Sequence, residues 1–171
     1  KLRDIYGSLG YFQWTGGTQR KPDPARKVVD VTVQMEEDKQ YLLGRLSFVG
    51  NDSTRDKVIR RELQLEEGSQ FSSGALRKSN EKLHRLDYFE TVEITPTPGS
   101  DDTRLNLRVD VAEKKTGSFS IGAGFSSQDG LLGIFDITQA NFRGLGQTIS
   151  GRGQVGGRNQ RFSVLFNEPW T

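Results

Sequence analysis

The chain has 171 residues, no cysteine, one histidine and a net charge of +2 from 24 basic and 22 acidic side chains. So even a balance gives no basic face for nucleic acid, and one histidine without cysteine argues against a zinc site. No apolar run approaches the ~20 residues of a membrane-spanning helix. Beginning at Lys1 with no initiator Met or leader, the chain reads as an excised piece.

A first helical pattern is carried by Leu2, Ile5, Tyr6 and Leu9, and closes on Leu9-Gly10-Tyr11-Phe12. A variable stretch follows, then Val29, Val31, Val33 and Met35 before Glu36-Glu37, whose strict alternation reads as a half-buried strand. The same run of features returns 77 residues later: Leu76, Leu83 and Leu86, then Leu86-Asp87-Tyr88-Phe89, then Leu105, Leu107, Val109 and Val111 before Glu113. This is expected of two copies of one α+β module, the first lacking its start.

The second copy reads as complete. Residues 41–50 form a strand with Leu46 and Phe48 inward, and Gly50-Asn51-Asp52 turns the chain. Ser53-Thr54-Arg55-Asp56 has the pattern of a capping box before a helix carrying Val58, Ile59 and Leu63, which Gly68 stops. Phe71 and Leu76 flank Ser72 as a hydrophobic staple, opening a second helix that runs to about Leu86. Val92 and Ile94 mark a strand, 96–102 a loop and 104–112 the last strand. The predicted order is β-α-α-β-β, with two helices on one face of a three-stranded sheet.

After Lys115 the chain changes character. Residues 1–116 hold 39 of the 46 charged side chains; residues 117–171 hold seven, with 11 of the 20 glycines and no lysine. Four strands are predicted at about 117–126, 131–140, 147–156 and 160–167, connected through Gln128-Asp129-Gly130, residues 141–146 and Gly157-Arg158-Asn159. In the first, Phe119, Ile121, Ala123 and Phe125 alternate with Ser118, Ser120, Gly122 and Gly124; in the last, Phe162, Val164 and Phe166 face away from Arg161 and Ser163. The second strand is less clean, with Phe135 and Ile137 opposing Ile134 and Asp136. One apolar face and one small, polar face suit a strand between lipid and a wet lumen. A soluble sheet would carry Lys and Glu on its solvated face. Closing a barrel takes about eight strands or more, so these four are expected to leave open edges that seek partners.

Other motifs weigh less. Gly151-Arg152-Gly153-Gln154-Val155-Gly156 spells GxGxxG, but a nucleotide site needs a helix after it, and here alternation continues. His84 reads as a surface or partly buried helix residue. Glu113-Lys114-Lys115 marks the water side of a membrane boundary, with Arg143 and Trp170 near interfaces.

These segments resemble the BamA-type outer-membrane protein assembly factors, a family combining POTRA domains with a β-barrel. The match lies in Leu46-Ser47-Phe48-Val49-Gly50-Asn51, in Val58-Ile59-Arg60-Arg61-Glu62-Leu63 and in the run from Arg85 to Val92. It continues in the junction from Val111 to Phe119, in Asn141-Phe142-Arg143-Gly144-Leu145-Gly146 and in Asn167-Glu168-Pro169-Trp170. The resemblance implies the C-terminal part of one POTRA domain at 1–40, a complete last POTRA domain at 41–116, and the first four or so strands of an incomplete transmembrane β-barrel at 117–171. The fold class is then an α+β POTRA domain followed by antiparallel barrel strands.

The family folds and inserts β-barrel proteins into the bacterial outer membrane without ATP, its POTRA part in the periplasm. The resemblance therefore implies unfolded outer-membrane clients, accessory lipoproteins and outer-membrane lipid as partners, with no cofactor, no metal, no nucleic acid and no enzyme activity. Client strands would pair with the edge of barrel strand one, at Phe119, Ile121, Gly122, Gly124 and Phe125. Arg61, Glu66 and Glu67 would dock an accessory subunit, and Phe162, Val164 and Phe166 would face lipid. A POTRA-barrel exporter and a soluble periplasmic binding scaffold are the competing readings; the missing charge after Lys115 counts against the scaffold.

Overall fold

The computed structural model describes residues 2–12, 14–24, 26–37, 39–127 and 130–170, with all of their side chains except those of 2–4, 14–15 and 37. The predicted connection through Gln128 and Asp129, and the side chain of Leu2, lie outside the described residues. The elements are α1 (Leu2–Ser8), β1 (Trp14–Asp23), β2 (Val28–Glu37), β3 (Leu42–Val49), α2 (Asp56–Arg60), α3 (Ser73–Arg85), β4 (Phe89–Pro98), β5 (Arg104–Glu113), β6 (Gly117–Ser126), β7 (Gly130–Phe142), β8 (Gln147–Gly156) and β9 (Gln160–Asn167). They form three sheets, ordered β1-β2, β3-β5-β4 and β6-β7-β8-β9.

The sequence repeat is a helix stop. After α1, the N–H groups of Leu9 and Tyr11 bond the Tyr6 carbonyl while Gly10 sits at φ +92°. After α3, Leu86 and Asp87 bond the Leu83 and His84 carbonyls, and Asp87 sits at φ +59°. Each copy thus turns left-handed at the second residue of its motif, which ends the helix and starts a strand.

Packing divides the chain into two compact units: Lys1–Ser47, Leu63–Lys82 and Glu93–Val109 in one, and Phe48–Glu62, Leu83–Val92 and Asp110–Thr171 in the other. In the first unit β1 and β2 pair antiparallel from Trp14↔Glu37 to Asp23↔Val28. Strand β1 is absent from the sequence reading because Gly16-Gly17-Thr18-Gln19-Arg20-Lys21 has no apolar alternation; pairing with β2 alone makes it a strand. The core of this unit holds Leu43, Leu46, Leu65, Phe71, Leu105, Leu107 and Val109. Buried Ser79 accepts the Gln64 N–H through Oγ and donates to the Ala75 carbonyl, so it leaves no unpaired group.

The outer edge of β3 is covered. Leu43 donates its N–H to the Ser69 carbonyl, Gly68 donates to the Leu43 carbonyl, and the Glu67 carboxylate accepts the Leu46 N–H at 2.9 Å. Strand β4 forms the other edge of that sheet.

In the second unit Val58, Ile59, Leu83, Tyr88, Phe89, Val92 and Val111 are buried. Two expectations are corrected here. Helix α2 is a single turn of five residues that ends before Leu63 and Gly68. Its N-cap is Arg55, which makes no side-chain cap bond, so the capping box does not form. The Ser53 N–H that such a box would use is taken instead by the Glu113 carboxylate, at 2.9 Å, which also accepts the Thr54 N–H at 2.6 Å. Ahead of α3, by contrast, the Ser72 hydroxyl does accept the Ala75 N–H.

Candidate functional site: a one-sided sheet with open edges and its anchoring joint

Strands β6 to β9 form an antiparallel meander with β6 and β9 at its edges. Register decides the faces. Phe119 opposes Ile137 and Ile121 opposes Phe135; Phe135 opposes Gly153, which opposes Phe162. Ile137 opposes Gly151 and then Val164. One face is therefore continuously apolar, and its side chains are exposed: Phe119 by 65 %, Phe125 by 81 % and Val164 by 77 %. The register also resolves β7, whose Phe135 and Ile137 join the apolar face while Ile134 and Asp136 join the other.

That other face carries Ser118, Ser120, Gly122 and Gly124 of β6, the Asp136–Arg152 ion pair across β7 and β8, and Ser163 of β9. A pocket on this side is lined by Asp136, Thr138, Ser150, Arg152 and Ser163. The GxGxxG run is strand β8. A Cβ on Gly153 would press on the Phe162 ring at 3.2 Å, so the glycine is where two cross-strand aromatic rings, Phe135 and Phe162, come close to the backbone.

The turn between β7 and β8 is fastened within the same unit to the segment before α2. Asn141, at φ 52°, donates its side-chain amide to the Thr54 hydroxyl at 2.7 Å and accepts the Gly146 N–H at 2.9 Å. Arg55 donates its N–H to the Gly144 carbonyl, and buried Tyr88 donates its hydroxyl to the Gly146 carbonyl at 3.3 Å. Gly144 has φ +70°, and a Cβ there would overlap the Ser53 carbonyl, so only glycine fits. Burial raises the Tyr88 pKa, against the lowering effect of Arg61. For Glu113 desolvation pushes the pKa up, but hydrogen bonds from Thr54 and Ser53 outweigh it and hold the carboxyl below its usual range.

The predicted site residues fall into two kinds. Phe119, Ile121 and Phe125 lie on the apolar face of edge strand β6, with Gly122 and Gly124 on its opposite face; Phe162, Val164 and Phe166 lie on the apolar face of β9. Glu66 and Glu67 are exposed. Arg61 is not: its side chain is 19 % exposed and its guanidinium lies 5.3 Å over the Trp170 ring. The joint of Thr54, Glu113 and Asn141 was missed in the sequence, where no local pattern ties residues 59 and 87 positions apart. Among the described residues no cluster of three or more His, Cys, Asp or Glu could hold a metal. No described helix is long and apolar enough to cross a membrane, which says nothing of strands.

A helix-stop repeat, a three-stranded β3-β5-β4 sheet and a one-sided strand meander define an α+β module that continues into an antiparallel sheet. Residues 41–114 match the POTRA family, "Surface antigen variable number repeat". The chain is 28 % identical over 172 residues to the outer membrane protein assembly factor BamA of Neisseria meningitidis serogroup B, covering 99 % of this chain and 22 % of that protein. It is 31 % identical over 170 residues to BamA of Nitratidesulfovibrio vulgaris, covering 98 % and 21 %. The crystal structure of Haemophilus ducreyi BamA lacking POTRA domains 1–3 superposes with a TM-score of 0.91 at 26 % identity, covering 99 % of this chain and 32 % of that one. The chain belongs to the family of BamA-type outer-membrane protein assembly factors, which combine POTRA domains with a β-barrel and reside in the outer membrane, POTRA part in the periplasm. It spans about a fifth of the length of those curated relatives.

Proposed function

We propose that this chain works in folding and inserting outer-membrane β-barrel proteins. Residues 1–40 then end one POTRA domain, 41–116 are a complete β-α-α-β-β POTRA domain, and 117–171 are the first four strands of a barrel that the chain alone leaves incomplete. The carrying observation is β6, ten residues long, apolar on one face and paired on one side with β7. A strand of that length spans the hydrocarbon when tilted. Its other edge offers backbone N–H and C=O groups where lipid offers none, so an unfolded client strand gains its missing bonds by adding there. Gly122 and Gly124 keep the edge pliable, while Phe119, Ile121 and Phe125 face the acyl chains.

On the periplasmic side the outer edge of β3 is already covered, which leaves β4 for augmentation by an extended client. Accessory lipoproteins dock at Glu66 and Glu67, the solvent-facing pair among the three residues expected there. Phe162, Val164 and Phe166 contact outer-membrane lipid, and isolated copies associate through open edges.

The absence of cysteine makes a clean test. Single cysteines at Ser120 in β6 and at Ser163 in β9 are offered, in detergent, a thiol-bearing peptide with the sequence of an outer-membrane barrel strand. Disulfide formation at Ser120→Cys well above Ser163→Cys supports strand-one pairing; equal or absent capture at Ser120→Cys rejects it.

A further inference from the structure

On β6 and β7 the apolar face of the meander has a defined end, although Ile149 and Phe166 continue it on β8 and β9. Gly117 and Gln139 oppose each other one step beyond Phe119 and Ile137, and neither adds apolar side-chain surface. Both line a cavity of about 650 Å³, in the size range of small-ligand sites. Lys115 and Arg143 line it too, and both are exposed without an ion-pair or hydrogen-bond partner among the described residues. The other charges in its wall are already committed: Lys114 pairs with Asp87, and the Glu113 carboxylate is held by the Ser53 and Thr54 N–H groups. Arg143 also sits at φ 56°, a backbone conformation that a residue with a Cβ adopts at a cost and that Gly or Asn would fill more easily. A cation kept there at that cost points to a use for its side chain.

We propose that this cavity binds the phosphate of an anionic phospholipid headgroup, with the acyl chains lying along Phe119, Ile121 and Ile137. The inference rests on the reading of β6–β9 as barrel wall. A phospholipid places its phosphate where hydrocarbon ends, which is where the apolar face gives way to Lys115 and Arg143. The Arg143 guanidinium can take two phosphate oxygens at once, and Lys115 supplies a compact second charge. Both act at the headgroup level, where the surrounding dielectric is lower than in water and basic residues favour anionic lipid. The lipid would pin the first strand beside its joint and leave the edge of β6 open.

The test uses the full chain in a neutral maltoside detergent, titrated with phosphatidylglycerol or phosphatidylcholine and read by native mass spectrometry. The wild type is expected to prefer phosphatidylglycerol, and Lys115→Gln with Arg143→Asn to lose about 25-fold of that preference, near fivefold per cation. Asparagine suits the left-handed backbone and keeps the turn, and Lys115→Arg with Arg143→Lys should retain the preference. Arg20→Gln with Lys21→Gln removes the same charge from residues that do not line the cavity and should leave it intact. Equal loss in that control, or displacement of the lipid by equimolar inorganic phosphate, overturns the proposal in favour of general charge attraction or a free-anion site. A chain that is monomeric in water without detergent overturns the barrel-wall reading as well. One that needs detergent yet shows no lipid preference overturns this inference alone.

Discussion

Asn141 donates its side-chain amide to the hydroxyl of Thr54 at 2.7 Å, joining residues 87 apart in the chain. Thr54 is 2 % exposed, so its hydroxyl is shielded from bulk water, while Asn141 is half-buried. This bond, the Glu113 chelate beside it and the Arg55–Gly144 backbone bond hold the β7–β8 turn of the meander to the segment before α2.

Removing the amide tests that joint. Asn141→Ala should cost about 1–3 kcal/mol and raise hydrogen exchange at Gly146, whose N–H the same side chain accepts. Thr54→Val combined with it should show a coupling of ~1 kcal/mol in a double-mutant cycle. Strict additivity of the two substitutions would mean that the bond carries no energy.

Glu113 gives the joint a pH limit. Its folded pKa lies below the ordinary 4.5, so the stability that it adds is fully present above the usual carboxylate range. That stability is lost as pH falls through the lower folded value. Glu113→Gln should lower the denaturation midpoint at neutral pH and flatten its decline toward ~pH 3. An unchanged acid limb in the variant would assign the decline to other carboxylates.

Gly144→Ala forces a Cβ onto the Ser53 carbonyl in a left-handed backbone, and should cost at least ~2 kcal/mol. Gly124→Ala meets nothing within 4 Å and should be nearly silent. Thermal or denaturant midpoints of the two variants side by side measure the difference.

The exposed apolar face predicts behaviour in water. Light scattering after size exclusion should find the chain associated without detergent and dispersed with it. Val164→Arg, at the centre of that face in β9, should weaken partition into phospholipid vesicles by about 2–4 kcal/mol. Ser163→Arg on the opposite face should weaken it far less.

Glu67 accepts the Leu46 N–H and is also proposed to dock an accessory subunit, and one substitution can confuse the two. Glu67→Ala strips the Leu46 N–H of its acceptor and should cost ~1 kcal/mol. Glu67→Gln keeps an acceptor and removes the charge, so it should fold normally. Loss of accessory-subunit capture by the Gln variant, read by pull-down, would mark the charge itself as the docking element.

The sequence by itself determined much of this protein. A period of two along residues 117–126, 147–156 and 160–167 coincides with β6, β8 and β9, because successive side chains of a strand point to opposite faces, one apolar here and one small and polar. The Leu-Gly-Tyr-Phe and Leu-Asp-Tyr-Phe motifs likewise showed where helices stop, since a left-handed backbone restricts local residue choice. Only the tertiary structure decided the rest. Strand β1 has no pattern of its own and exists through β2. The faces of β7 follow from register with β6, since Ile134 and Phe135 are equally apolar. The Ser53-Thr54-Arg55-Asp56 run had the letters of a local cap, yet its N–H groups went to Glu113, 59 residues beyond Thr54. Arg61, read as a docking residue from its charge, lies over Trp170. Periodicity and backbone conformation are local and leave a trace in the sequence; a hydrogen bond between distant residues depends on which groups the fold brings together.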